Sequence, residues 1–214
     1  MRQRKKLRVP LLILLCAAVL SGTGGGLAAQ SPGVPARLLA PISPTAPDEA
    51  LFGEAVLIYS NAARRERGLA PLTPDPRLAR VAVDQARNMA KLRSLSHDLP
   101  NSGQSGFRQR LAQQGVRYGD AAENIAMGKV YDLIGRPIST KMSGCAFTYG
   151  DTGAPVPIQS YASAGQEVVE KWLASPRHRA SLLSPKFERF GAGVGVDPAG
   201  AACGDLYMAQ DFAD

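Results

Sequence analysis

Only two histidines occur in the 214 residues, His97 and His178, and each lies beside a local break in helical patterning. His97 follows Leu95-Ser96, and His178 follows Ser175-Pro176-Arg177. Imidazole is the side chain whose charge changes near neutral pH, and it is the commonest metal ligand. Between the two stands Ala122-Glu123-Asn124-Ile125-Ala126, a carboxylate and an amide inside an otherwise apolar run. A charge placed in a segment that should be buried needs a partner. Taken singly, each histidine has a plainer explanation. One that follows a helix end complements the helix dipole, and one between Arg177 and Arg179 is simply solvated.

Recognisable nucleophile chemistry is absent from the sequence. There is no His-Glu-x-x-His helix, which would set two metal ligands one turn apart beside a base. Nor is there a Gly-x-Ser-x-Gly elbow or a Cys–His pair. Ser96 and Ser175 precede histidines, but the pattern Ser175-Pro176 reads better as a helix cap followed by a first-turn proline. A metal-dependent, protease-like hydrolase therefore remains the alternative to a binding role, and a structural role in the cell envelope is a third class.

The elements that must position these residues are legible from periodicity. Leu51, Phe52, Ala55, Ile58, Tyr59 and Ala62 recur at helical spacing over about residues 48–67, and Gly68 supplies the stop. Asp75-Pro76 starts a second helix whose inward stripe is Leu78, Val81, Ala82, Ala86 and Met89. It ends near 92–95, which leaves His97 just past a helix C-terminus. A short helix is expected over 107–114, closed by Gly115, and a strand over 122–127. Residues 128–164, rich in Gly, Pro, Ser and Thr, read as a long loop or insertion. Helices follow over 166–174 and from Pro176 to about Leu183. The runs 191–196 and 206–212 then form two strands joined by turn residues Asp197-Pro198-Ala199-Gly200. Helices alternating with short strands give a mixed α/β class whose terminal strands are antiparallel.

Residues 1–29 read as a signal peptide. Five basic residues lie in the first eight, followed by twelve residues from Val9 to Leu20 with an apolar character and then small residues up to Ala28-Ala29. Twelve residues are too few to span a hydrocarbon core, which takes about 20 in a helix, so no stable transmembrane span is expected after signal removal. Export follows, to the periplasm or the medium. Without those five cations, 20 basic residues face 18 acidic ones, a net of about +2. The precursor's pI of 9.6 thus has no functional weight, and nucleic acid is excluded as a partner: Arg64, Arg65 and Arg67 suit the dipole at the first helix's C-terminus. Residues 30–47, with five prolines, read as a semi-extended linker. In an oxidising compartment the two remaining cysteines, Cys145 and Cys203, read as a disulfide; two buried free thiols are the alternative.

The order of several pieces carries more than any of them alone. Asn61…Arg65…Gly68-Leu69-Ala70-Pro71-Leu72…Asp75, Ser96-His97, Glu123-Asn124-Ile125-Ala126, Trp172…Ser175…His178-Arg179…Leu182-Leu183, Gly191…Gly193-Val194-Gly195 and Gln210-Asp211-Phe212 together resemble the bacterial branch of the CAP superfamily. That superfamily (SCP domain) groups cysteine-rich secretory proteins, antigen 5 and pathogenesis-related proteins. The likeness spans about residues 48–214. It implies an α-β-α sandwich, with a small antiparallel sheet between helical layers and a broad cleft lined by histidines and acids. His97 matches the first histidine, Glu123 the acid of the Glu-Asn-hydrophobic motif, and His178 the second histidine. The second acid, expected three residues after the tryptophan, falls on Ser175, a departure from the family pattern. What remains implies a weak site for zinc or another divalent cation from His97, His178 and Glu123, with Glu123 either ligating or orienting a histidine. The resemblance also implies a small apolar ligand, such as a sterol or fatty acid, or an extracellular partner. The segment 128–164, with Tyr131, Phe147, Tyr149 and Tyr161, is where specificity is expected; its rings either line a groove or anchor a loop.

Overall fold

The computed structural model describes residues 33–103, 106–133, 135–139 and 145–214. The signal-peptide reading therefore lies outside the described residues. Five helices are α1 (Glu49–Arg65), α2 (Pro76–Leu92), α3 (Phe107–Gln113), α4 (Tyr161–Ala174) and α5 (Pro176–Leu182). The strands are β1 (Thr73–Pro74), β2 (Ala121–Lys129), β3 (Ile138–Ser139), β4 (Thr148–Tyr149), β5 (Arg189–Asp197) and β6 (Asp205–Ala213).

The helix starts follow from local chemistry. Asp48 accepts the N–H groups of Ala50 and Leu51, and Asp75 accepts that of Arg77 with Pro76 in the first turn. Both caps satisfy donors that the first helical turn leaves without partners. Helix α2 ends where Arg93 adopts a left-handed conformation, with φ 53°.

One sheet of order β1-β5-β6-β2 forms the middle layer. β5 pairs with β6, and β6 with β2, as antiparallel nine-residue ladders. β1 runs parallel to β5 through Thr73–Arg189 and Pro74–Phe190, so the sheet is mixed where an antiparallel one was expected. The reason is local: the chain touches the edge of β5 for two residues before Asp75 turns it into α2, and a proline is tolerated at such an edge.

Period-two alternation sends the two faces of the sheet to different helices. Ala82, Ala86 and Met89 of α2 meet Ile125, Tyr207 and Ala209. On the other face Phe52 and Ala55 of α1, with Val168 and Trp172 of α4, meet Val194, Leu206, Met208 and Phe212. The result is the α-β-α sandwich. Helix α2 lies unusually close to β5 because Gly193 has no side chain: a Cβ there would sit 2.4 Å from the Val83 nitrogen.

Three segments differ from the sequence expectation. Helix α4 begins at Tyr161 rather than Gln166, capped by Ser160. Its first turn holds small residues without apolar periodicity, yet they permit contact with α1, since a Cβ on Gly165 would lie 2.8 Å from that of Ala55. The proline-rich stretch is not wholly a tether: Leu38 and Ile42 are buried in the main core, and the Ile42 N–H donates to the Gln159 carbonyl at 2.8 Å. Within 128–164, β3 and β4 form a hairpin over a small cluster of Phe147, Tyr149 and Val156. Tyr131 packs edge-on against Phe147, and Tyr161 accepts the Asp48 N–H. These rings anchor the segment. Cys145 and Cys203 form the expected disulfide, tying it to the β5–β6 turn.

Candidate functional site

The sheet order makes β2 an edge strand, and α4 covers most of that edge. Trp172 Nε1 donates to the Ile125 carbonyl at 3.2 Å, and Lys171 Nζ donates to that of Met127 at 2.9 Å. Gln159 Nε2 donates to the Lys129 carbonyl at 3.0 Å. Such capping prevents an open strand edge from pairing with another chain. It stops short of Glu123. The Glu123 side chain is 2% exposed while the residue as a whole is of intermediate exposure, so what it presents to solvent is backbone.

His97 reaches this end of β2 from one face of the sheet. Its loop is held at three points after α2 ends. Buried Gln85 donates to the Ser96 carbonyl at 2.6 Å, Arg93 pairs with Asp197 at 2.8 Å, and Arg110 Nη1 donates to the His97 carbonyl at 3.0 Å. The imidazole Nδ1 then lies 2.8 Å from Glu123 Oε1, and Arg110 Nη2 donates to Glu123 Oε2 at 2.6 Å. The Arg110 side chain is 1% exposed and that of His97 is 51% exposed. A buried ion pair thus orients a half-exposed imidazole.

His178 approaches from the other face on α5. Asn124 Nδ2 donates to its carbonyl at 3.1 Å and to Gln210 Oε1 at 3.3 Å, and Gln210 Nε2 donates to Ser60 Oγ at 2.8 Å. This polar chain runs from α1 through β6 and β2 to α5 and fixes where α5 sits. Asn124 therefore satisfies main-chain groups, as amides inside cores generally must. Ser175 stands at the joint of α4 and α5 in the cap position, but its hydroxyl makes no capping hydrogen bond. The expected cap is one of position only.

The two imidazoles sit in opposed environments. The hydrogen bond to Glu123 raises the pKa of His97 above its usual value; burial opposes this and the charge of Glu123 adds to it. Burial lowers that of His178, and the charge of His97 lowers it further. His178 thus lies close enough to His97 to register its charge.

Glu123 is held from two sides. Both its oxygens are engaged, one by His97 and one by a guanidinium that repels cations. Among the described residues, no three His, Cys, Asp or Glu side chains are grouped to hold a metal ion. Through the Nδ1 contact Glu123 holds the His97 ring, the arrangement by which a carboxylate orients an imidazole.

Two site residues escaped the sequence reading. Arg110 lies at i+3 from Phe107 and one before Leu111, so it shares the inward face of a short helix; that spacing was the available signal. Asp211 stands in an apolar strand run, opposite Glu123 in the β2–β6 ladder, and is fully buried. Arg64 requires a correction. Expected as a partner of the helix dipole, it is 1% exposed and donates to the carbonyls of Ala70, Leu182, Ser184 and Phe187, clamping the segment between α5 and β5.

An apolar cavity of about 330 Å³ lies between α1, α2 and β5, with Ala50, Gly53, Leu57, Ala79 and Phe190 in its walls; His97, Glu123 and His178 do not line it.

A sandwich of this topology, with histidines flanking a Glu-Asn strand at its edge, is that of the cysteine-rich secretory protein family. The family model (CAP) matches residues 57–212, and the chain belongs to that family. The protein YkwD of Bacillus subtilis (strain 168), described as uncharacterized, is 26% identical over 142 residues, covering 66% of this chain and 42% of YkwD. An extracellular protein containing an SCP domain from Bacillus anthracis superimposes with TM-score 0.52 at 23% identity, over 81% of this chain and 44% of that one. An outer surface protein of Borrelia burgdorferi gives TM-score 0.50 at 17% identity, over 75% of this chain and 90% of its own. The chain thus spans less than half the length of YkwD and of the B. anthracis protein.

Proposed function

We propose that the protein is exported and recognises a partner outside the cytoplasm through the polar cleft at His97, Glu123 and His178. The observation that carries this reading is the half-exposed His97 ring fixed by two nearly inaccessible side chains, Glu123 and Arg110. Burying an ion pair involves a desolvation penalty that only good geometry recovers. Stability alone does not need that pair to end in an imidazole facing solvent; a binding surface does, because preset groups lose less entropy on association. The cleft offers hydrogen-bonding groups: the free edge of the imidazole and the backbone of β2 at Glu123. Polar partners suit it, whereas a small apolar ligand finds matching walls in the separate cavity beside Leu57 and Phe190. A thiol nucleophile is closed to a hydrolytic role, because Cys145 and Cys203 are joined to each other; a metal-dependent hydrolase, with metal-bound water as nucleophile, stays the alternative.

The test follows the ring signals of the two histidines by NMR while candidate partners from peptide and envelope-fragment screens are added. A true partner moves both signals and loses affinity with His97→Ala. A partner that binds with both signals unmoved and ignores that substitution overturns the assignment.

A further inference from the structure

The sheet has two edges, and the fold treats them differently. Side chains of α4, and Gln159 just before it, cap the outer carbonyls of β2. At the other edge β1 covers β5 only where Thr73 meets Arg189 and Pro74 meets Phe190. The Asp75 N–H donates to the Phe190 carbonyl at 2.8 Å, so that carbonyl points away from β6. The β5–β6 register runs unbroken from Arg189 to Asp197, and main-chain groups alternate in direction along a strand. The N–H and C=O of Ala192, Val194 and Val196 therefore point outward as well. Helix α1 closes over the first of these, since a Cβ on Gly53 would lie 3.5 Å from the Ala192 oxygen. Val194 and Val196 are left. Among the described residues no hydrogen bond reaches their outward groups, although buried main-chain groups almost always find a partner.

An ion pair crosses this stretch. Helices α1 and α2 sit on opposite faces of the sheet, and Glu49 of α1 pairs with Arg87 of α2 at 2.6 Å. The pair passes the edge at Gly195, where a Cβ would sit 2.9 Å from the Arg87 Cα. Both residues line a cavity of about 550 Å³ that reaches from Val194 to Pro198, with Lys91 and Arg93 also in its walls. Arg93 is paired with Asp197, and among the described residues no acid pairs with Lys91. Positive charge is thus in excess. Val194 is fully buried, so a partner must displace what crosses the edge. The Arg87 side chain is 64% exposed, and an exposed ion pair is a weak clasp.

We propose that this stretch of β5 is a docking edge for an extended peptide, which pairs with Val194 and Val196 as an added antiparallel strand and brings a carboxylate that takes Arg87 from Glu49. Strand addition draws affinity from main-chain hydrogen bonds and specificity from alternate side chains. Residues directly opposite each other share a face of the sheet. The two peptide residues opposite Val194 and Val196 therefore lie on the α1 face, where both valines meet the main core. The residue between them lies on the α2 face beside Gly195, where Arg87 and Lys91 supply the charge. The partner is an extended segment with an acidic residue between two apolar ones. This edge is separate from the His97 cleft, and the inference does not depend on what that cleft binds.

The probe is a fluorescein-labelled, end-blocked peptide, Thr-Val-Glu-Val-Thr, followed by polarisation and by amide NMR of the labelled protein. The expected result is saturable binding that moves the Val194 and Val196 N–H signals and leaves both histidine rings unmoved. N-methylation of either peptide valine should abolish binding, because it removes a donor that faces β5. N-methylation of the peptide's glutamate, whose N–H faces away, should not. Glu49→Gln opens the clasp and should tighten binding by up to about fivefold, while a lysine in place of the peptide's glutamate should abolish it. No saturable binding to either the parent or Glu49→Gln overturns the proposal. So does binding that is indifferent to methylation, or that is lost on methylating the glutamate instead.

Discussion

Reduction of the Cys145–Cys203 bond is the perturbation with the clearest magnitude. The bond closes a loop with a sequence separation of 58. On the chain-entropy account, releasing such a loop frees the unfolded ensemble by about 14 cal/mol/K, or roughly 4 kcal/mol at 25 °C. For a domain of this size that corresponds to a fall in Tm of roughly 8–16 °C. The expectation assumes that the tied segment unfolds together with the main core. Structure supports the assumption, because Val130 lies in the main core, Gln159 bonds the edge of β2 and Tyr161 starts α4. The assay is urea denaturation of oxidised and reduced protein, followed by tryptophan fluorescence, since the only tryptophan is fully buried in the main core. An unchanged midpoint, with loss of amide protection confined to residues 131–158, would refute the reasoning. The hairpin and its cluster of Phe147, Tyr149 and Val156 would then be a separately melting lobe.

Other outcomes follow from single contacts. Gly193→Val forces atoms against the Val83 backbone, where even a Cβ would lie 2.4 Å from its nitrogen; loss of soluble folded protein on expression is expected. Arg64→Met keeps the apolar stem but strips four carbonyls of their donor, at a cost of about 1–3 kcal/mol for each one left dry; denaturation midpoints give the sum. Glu123 raises the pKa of His97, so this stabilisation is complete below the unfolded imidazole range and disappears as pH rises through the folded midpoint. Glu123→Gln should flatten that part of the stability profile between mildly acidic and mildly alkaline pH, while the burial-lowered His178 still destabilises the fold as the medium turns acidic. Zinc titration calorimetry near neutral pH addresses the cation: one-to-one binding abolished by both His97→Ala and His178→Ala would bring a metal into the cleft, with Glu123 as the orienting carboxylate.

Much of the molecule was determined by the sequence alone, where the signal is local. Asp48, Asp75 and Pro76 announce their helices because capping chemistry acts over three or four residues. The runs 191–196 and 206–212, with turn residues Asp197-Pro198-Ala199-Gly200 between them, announce a pair of strands, and the ordered run from Asn61 to Phe212 announces the family. His97, Glu123 and His178 stood out as unusual residue types in patterned surroundings, and the ordered run of pieces around them made them candidates.

What only the tertiary structure decided depends on residues distant in sequence. Small residues at Ala164 and Gly165 carry no periodic signal, and they become helix because α1 offers a surface to pack against. Leu38 and Ile42 sit among prolines, where the chain makes only the short 3-10 helix Ala36–Leu39, yet both are buried. Arg64 looked like a partner of the helix dipole until three carbonyls from the far end of the chain, with that of nearby Ala70, surrounded it. The surroundings of Glu123 show the difference most sharply. An arginine from a short helix and an aspartate from the last strand are ordinary charged residues in the linear chain. The ladder that sets Asp211 opposite Glu123, and the helix that brings Arg110 over both, turn them into one buried charge cluster, because electrostatic interaction depends on distance and dielectric and not on sequence separation.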